Sequence, residues 1–172
     1  MISATNLPDI PELTRLINSA YRGEASRNGW TTEADLIEGD YRTDESALAQ
    51  LIQNPNSVIL KYTKENKIAG CVYLEKQNKK LYLGLLSVSP AIQNSGIGKQ
   101  LLVAAEDYAL ANHCTTITMT VISAREELIN WYKKFGYADT GERKPFPEHE
   151  KFGKPKKHLQ FIVLEKKLTA AG

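Results

Sequence analysis

The sequence predicts one domain of mixed α and β structure: a central, mostly antiparallel sheet of six to seven strands flanked by about four helices. Three observations predict it. The chain of 172 residues suits a single domain with a sizeable core. Three β-rich runs in its middle are separated only by short polar turns, Lys64-Glu65-Asn66-Lys67 and Gln77-Asn78-Lys79-Lys80, which marks an antiparallel meander. Segments with helical periodicity lie on both sides of that meander, and neither a linker nor a repeat divides the chain, so residues 1–172 form one unit.

Ile10, Leu13, Ile17, Ala20 and Tyr21 recur at helical spacing and predict an amphipathic helix from about Leu7 to Arg22. Gly23 to Asp44 is polar and too long for a plain connection, so it reads as a functional loop. Glu45 to Gln53 is a short helix ended by Asn54-Pro55. Val58 to Thr63, Ile68 to Lys76 and Leu81 to Ser89 are the meander strands, the third stopped by Pro90. From Ile97 to about His113 a helix packs through Ile97, Leu101, Ala104, Ala105, Tyr108 and Ala111. Thr115 to Ile122, dense in Thr, Ile and Val, is a strand. Ala124 to Phe135 is helical, with Leu128, Ile129, Tyr132 and Phe135 on one face and Gly136 as C-cap. Tyr137 to about Arg143 and Leu159 to Leu168 are the last strands, joined by a loop containing Pro145, Pro147 and Pro155.

Composition excludes several classes. With 42% hydrophobic and 24% charged residues, the chain is neither disordered nor fibrous. Cys71 and Cys114 lie far apart without CxxC spacing, and His113, His149 and His158 lack ligand spacing, so neither a disulfide framework nor a metal is expected. Met1 to Ile10 lacks the basic start and apolar run of a signal peptide, and no stretch approaches a membrane span; a cytoplasmic protein is expected. The net charge of +2 conceals an asymmetry: nine acids against four bases from Met1 to Ser57, ten bases against eight acids to Glu142, and eight bases against three acids beyond. In functional terms the acidic part would draw a cationic substrate and the basic part hold an anion. The basic run Lys151 to Lys157, with Phe152 inside it, has a shape that nucleic-acid binders use, but near-neutral charge favours a solvated loop and no nucleic-acid partner.

The most informative junction is strand, Pro90, glycine-containing turn, helix. Glycines at a helix start let the backbone approach an anion, and the free amides of the first turn suit a phosphate. A Walker A loop would need glycine where Gln93 stands and Ser or Thr where Gln100 stands. A dinucleotide fingerprint would need glycine or alanine at Leu101 and a βαβ unit instead of a meander.

Gln93-Asn94-Ser95-Gly96-Ile97-Gly98 resembles the Q/R-x-x-G-x-G/A signature of the GNAT superfamily of acetyl-CoA-dependent N-acetyltransferases. Leu85-Leu86-Ser87-Val88-Ser89-Pro90 looks like the cofactor strand of that family. Leu128-Ile129-Asn130-Trp131-Tyr132-Lys133-Lys134-Phe135-Gly136-Tyr137 is similar to its tyrosine helix and following strand. The likeness spans nearly the whole chain in element order. It implies a GNAT-like domain whose sheet splays between its fourth and fifth strands, here Leu81 to Ser89 and Thr116 to Ile122, with acetyl-CoA as co-substrate in the slot. It further implies that Gln93, Asn94, Ser95, Gly96, Ile97, Gly98 and Lys99 cradle the pyrophosphate, and that Leu86 and Val88 bond the pantetheine arm. The Val88 amide would face the thioester oxygen, and Tyr132 would be the general acid. Where the family often has an asparagine seven residues before the tyrosine, this chain has Arg125, which would meet a phosphate or solvate the helix start.

A general base is left open among Glu24, Glu33, Asp35, Glu75 and relayed water. The loop after Tyr21 falls where the family covers its acceptor, so Trp30 and Tyr21 would wall an amine and Glu24 or Glu33 would pair with its charge. The expected reaction is acetyl transfer to a small-molecule or peptide amine by a monomer or homodimer. The alternative is a non-catalytic sensor or interaction module that binds coenzyme A.

Overall fold

The computed structural model describes residues 1–22, 37–38, 42–92, 95–145, 154–155 and 159–169. In chain order they form β1 (Ile2–Ala4), α1 (Ile10–Tyr21), β2 (Ile37–Glu38), α2 (Glu45–Gln53), β3 (Ser57–Lys64), β4 (Lys67–Gln77), β5 (Lys80–Val88), α3 (Ile97–Ala111), β6 (Thr116–Ile122), α4 (Glu126–Lys134), β7 (Ala138–Pro145), β8 (Lys154–Pro155) and β9 (Gln160–Lys167). Seven strands make one sheet in the order β1-β3-β4-β5-β6-β9-β7, while β2 and β8 pair separately. Every neighbouring pair in the large sheet is antiparallel except β5 with β6. The predicted sheet, helices and single mixed α/β domain are all present.

Local chemistry explains the meander. Glu65 and Asn66, at φ 52° and 65°, form a tight turn whose twist matches the flanking strands β3 and β4. Asn78, at φ 58°, serves the next turn, since a short polar side chain tolerates the left-handed region. Strand β1 has no counterpart in the sequence prediction, because three residues are too few to show a period; it pairs Ile2–Ala4 with Leu60–Tyr62 at the sheet edge.

The helices sandwich the sheet. Leu13, Ile17 and Ala20 of α1 and Leu48 of α2 pack on Ile59, Cys71 and Tyr73. On the other face, Leu101 and Ala105 of α3 and Leu128 and Tyr132 of α4 pack on Val72, Leu81, Leu83 and Met119. The buried strip of α3 runs through Leu101, Leu102, Ala105 and Ala109, whereas Ala111, expected to pack, is exposed. Among the described residues no helix is long and apolar enough to cross a membrane.

The end of β5 departs from regular alternation. Leu81 and Leu83 face α3, but so do Leu86 and Val88, while Leu85 turns toward α1. The alternation changes parity because the β4 register slips between Cys71, opposite Ser87, and Tyr73, opposite Gly84. That is a β-bulge, and Leu85 holds it at φ 51°, a conformation unfavourable for a branched side chain.

Candidate active site

The bulged end of β5 also marks an opening in the sheet. Strands β5 and β6 are in register only over Lys80–Tyr82 and Thr116–Thr118. Beyond that, β5 continues against β4 to Val88 and β6 continues against β9 to Ile122. The fourth and fifth strands of the sheet therefore part. Ser89 donates its N–H to the Ala69 carbonyl at 2.8 Å, so strand alternation turns the polar backbone groups of Val88 to the opposite edge, the β6 side.

The backbone at this point is held in place. The Leu85 carbonyl accepts from Ser87 Oγ at 2.9 Å and from Cys71 Sγ at 3.6 Å, and the Leu86 carbonyl accepts the Tyr21 hydroxyl. One lone pair of the Leu86 oxygen is thereby taken, which leaves the other for a ligand. Burial pushes the Cys71 thiol up to about 12, so it stays a neutral donor.

Below Val88 lies the start of α3. Gly96 caps this helix at φ 83°, with no atom within 4 Å of where a side chain would begin. Among the described residues no side chain caps the helix, and its first turn carries no acidic residue. Its leading amides and the positive end of its dipole suit an anionic acceptor. A Cβ on Gly98 would stand 3.3 Å from the Trp131 ring, so glycine there lets α4 lie against the start of α3. The cleft between them, of about 650 Å³, is lined by Val88, Ser95 to Lys99, Glu127, Asn130, Trp131, Lys134 and Phe135. A backbone cradle flanked by Lys99 and Lys134 fits a phosphorylated ligand. Of the residues predicted for it, Gln93 and Asn94 lie outside the described residues.

Tyr132 projects from α4 into the core beneath the slot and is 4% exposed. Trp131 and Tyr137 meet its ring edge-on at 5.1 Å and 5.8 Å. Burial raises its hydroxyl well above the ordinary phenol range; nearby Tyr21 adds to this and the Arg125 cation opposes it. Arg125 stands at the N-cap of α4, half-buried, with its guanidinium carbon 5.7 Å from the centre of the Tyr21 ring.

Of the base candidates, Glu75 is remote. It accepts from Asn54 Nδ2 at 2.7 Å, the Tyr73 hydroxyl at 3.1 Å and Gln77 Nε2 at 2.6 Å. It also lies five residues along β4 from Gly70, the partner of Val88, which at strand rise is roughly 16 Å. Glu24, Trp30, Glu33 and Asp35 lie outside the described residues.

The structure adds three contributors that sequence reasoning does not single out. A Cβ on Gly70 would stand 2.9 Å from Ile97 Cγ2, 3.0 Å from the Ser87 carbonyl oxygen and 3.1 Å from Leu101 Cδ1. Only glycine lets α3 approach β5 this closely, and a glycine inside a strand is the available cue. Asn18 of α1 accepts the N–H groups of Arg42 and Thr43 on Oδ1 at 2.5 Å and 2.9 Å and donates to the Thr43 carbonyl at 3.1 Å. It thereby sets Arg42 5.8 Å from the Tyr21 ring centre. Nothing in the local sequence pairs residue 18 with residue 42.

Comparison with known proteins agrees with this geometry. A profile of the acetyltransferase (GNAT) family matches residues 11–137. The ribosomal-protein-S18-alanine N-acetyltransferase of Escherichia coli superposes with a TM-score of 0.73 at 16% identity, over 100% of this chain and 96% of that one. The ribosomal-protein-alanine N-acetyltransferase of Brucella melitensis gives 0.73 at 16% identity, over 98% and 99%. The protein yncA of Salmonella typhimurium, solved with its cofactor acetyl-CoA, gives 0.70 at 17% identity, over 100% and 95%.

Proposed function

The chain belongs to the acetyltransferase (GNAT) family, and on that premise we propose that it transfers acetyl from acetyl-CoA to a primary amine of a small molecule or peptide, both substrates being bound together. One observation carries the reading. Val88, on the stretch of β5 beyond its last pairing with β6, lines one cleft with the start of α3 and with Asn130 and Trp131 of the helix that carries Tyr132. Acetyl-CoA supplies a thioester carbonyl and a thiolate leaving group.

The residues then divide the work. The amides from Ser95 to Lys99 bind the pyrophosphate at the helix start, and Gln93 and Asn94, which precede them in sequence, are assigned to the same ligand. Leu86 and Val88 bond the pantetheine arm through their backbones. The Val88 amide, fixed by the bulge, is the donor for charge growing on the carbonyl oxygen, and needs no reorganisation to meet it. Tyr132 keeps its proton through neutral pH because burial raises its pKa, so it is the donor toward the departing sulfur. The Arg125 cation works against that rise and eases proton release. The remoteness of Glu75 leaves proton removal from the amine to solvent or to Glu24, Glu33 or Asp35, and Trp30 is assigned to the acceptor on sequence alone.

Calorimetry with acetyl-CoA tests the first half of the reading: no binding below millimolar concentration sinks it. Thiol release over a broad amine panel tests the second. The position of Glu75 also favours a second reading, a coenzyme A-binding module without turnover. A protein that binds acetyl-CoA, releases no thiol with any amine and is indifferent to Tyr132→Phe would establish that module instead.

A further inference from the structure

The bulge of β5 turns on a left-handed residue that is not glycine. Leu85 adopts φ 51°, while its neighbour Gly84 does not take a positive φ. Such a backbone persists only where its surroundings over-determine it. Two side-chain donors reach the Leu85 carbonyl, Ser87 Oγ at 2.9 Å and Cys71 Sγ at 3.6 Å, and both residues are fully buried. A buried hydroxyl needs an acceptor, and the one Ser87 uses lies two residues back, on the bulged residue itself.

The bulge decides which edge of β5 receives the Val88 amide. Cys71 stands opposite Ser87 and Gly70 opposite Val88, and the Ser89 N–H bonds the Ala69 carbonyl at 2.8 Å. Continued without the extra residue, the register that sets Tyr73 opposite Gly84 would set Leu86 opposite Cys71 and Val88 opposite Ala69. Val88 would then replace Ser89 and turn its N–H to the Ala69 carbonyl, away from β6. In that register Ser87 and Cys71 would stand on opposite faces of the sheet, because side chains alternate with period two. They could not share one carbonyl. Their joint hold on Leu85 exists only in the register that turns the Val88 amide toward the slot.

We propose, resting on the acetyl-transfer reading, that Ser87 and Cys71 are positioning residues: by donating together to the Leu85 carbonyl they select the bulged register, and with it the Val88 amide that meets the thioester oxygen. Both act through the backbone. The hydroxyl is the better donor and carries the larger share.

The test uses the full chain. In the free protein, amide hydrogen exchange at Ser89 reads the register, since Ala69 protects that N–H in the bulged form; Ser87→Ala should raise the exchange by about tenfold. With acetyl-CoA and an accepted amine, Ser87→Ala should lower kcat by about ten- to a hundredfold, as for a displaced donor, with affinity for coenzyme A itself unchanged. Where no amine is turned over, the infrared stretch of an isotope-labelled thioester carbonyl replaces kcat: the bound parent lowers its frequency through the Val88 hydrogen bond, and Ser87→Ala should abolish that shift. Cys71→Ser keeps a donor and should stay near the parent, whereas Cys71→Val should follow Ser87→Ala to a smaller degree. Adding Leu85→Gly to Ser87→Ala should restore the lost function at least in part, because glycine enters the left-handed region unaided; a packing role would gain nothing from removing a side chain. Unchanged Ser89 exchange, unchanged kcat or carbonyl stretch, an equal loss of coenzyme A affinity, or a defect that Leu85→Gly does not lessen each overturns the inference and leaves acetyl transfer standing. If Ser87→Ala fails to fold, folding regained with Leu85→Gly supports it and continued failure overturns it. Failure of the parent to bind acetyl-CoA removes the acetyl-transfer reading and this inference with it.

Discussion

The two sides of the bulged end of β5 are built from different materials. Toward α3 the site is backbone: Gly96 and Gly98, the leading helix amides and the polar edge of Val88. Toward α1 it is side chain: Tyr21 on the Leu86 carbonyl, with Arg42 and Arg125 on the Tyr21 ring. A cradle made of amides suits a group that many ligands share, such as a phosphate. A wall made of three side chains from distant parts of the chain suits one shape and charge. On the proposed reading, generality and selectivity are separated across a single strand.

Four measurements would break or sharpen that contrast. The largest effect is expected at Tyr132, the proposed acid. Tyr132→Phe should lower kcat by about 10²-fold or more, the usual contribution of a positioned acid, with little change in acetyl-CoA affinity by calorimetry; an unchanged kcat would remove the residue from the chemistry. Next comes the backbone side. Gly70→Ala forces a Cβ to 3.0 Å from the fixed Ser87 carbonyl oxygen, so denaturant unfolding should show a loss of about 1–3 kcal/mol and acetyl-CoA binding should weaken as α3 is displaced. Gly98→Ala, at 3.3 Å from a ring that can yield, should cost less.

On the side-chain side, Asn18→Ala should cost about 1 kcal/mol or somewhat more in stability and reduce the preference between acceptors while leaving acetyl-CoA affinity intact. If it weakens acetyl-CoA equally, the two sides are not separable. The smallest effect at neutral pH concerns the tyrosines. Burial raises Tyr132, Tyr137 and Tyr73, the last to about 12. Below about pH 10, folded and unfolded chains both keep these protons, so stability is unaffected by them. Above it the unfolded chain releases protons that the native one retains, and stability falls as pH rises. Thermal midpoints should therefore be insensitive to these groups up to about pH 10 and decline beyond, less steeply in Tyr132→Phe.

The same contrast explains how much of the site is legible in the sequence. The cradle can be found because its residues are contiguous, from Gln93 to Lys99, and because helix-start glycines after a strand have few other uses. Tyr132 can be found because it sits in a local pattern ending at Gly136. The helices and meander emerge from periodicity and turn chemistry, except for the three-residue β1. Arg42 and Arg125 acquire meaning only when the fold brings residues 21, 42 and 125 together, which a charge count by segment does not show. The bulge at Leu85 is less legible: its left-handed backbone is held by the β4 pairing and by the Ser87 and Cys71 donors, and the cue beside it, Gly84, does not itself carry the positive φ.

Asn18 has a consequence of another kind. Its backbone carbonyl accepts the N–H of Arg22 at 2.9 Å and its side chain accepts that of Arg42 at 2.5 Å, so one residue fastens both ends of the intervening chain. The entropy of closing such a span grows slowly, by about 0.6 kcal/mol for each doubling of its length. On that count an insertion between the two fastened ends adds little closure entropy, so Asn18 decouples the length of that span from the anchoring of its ends.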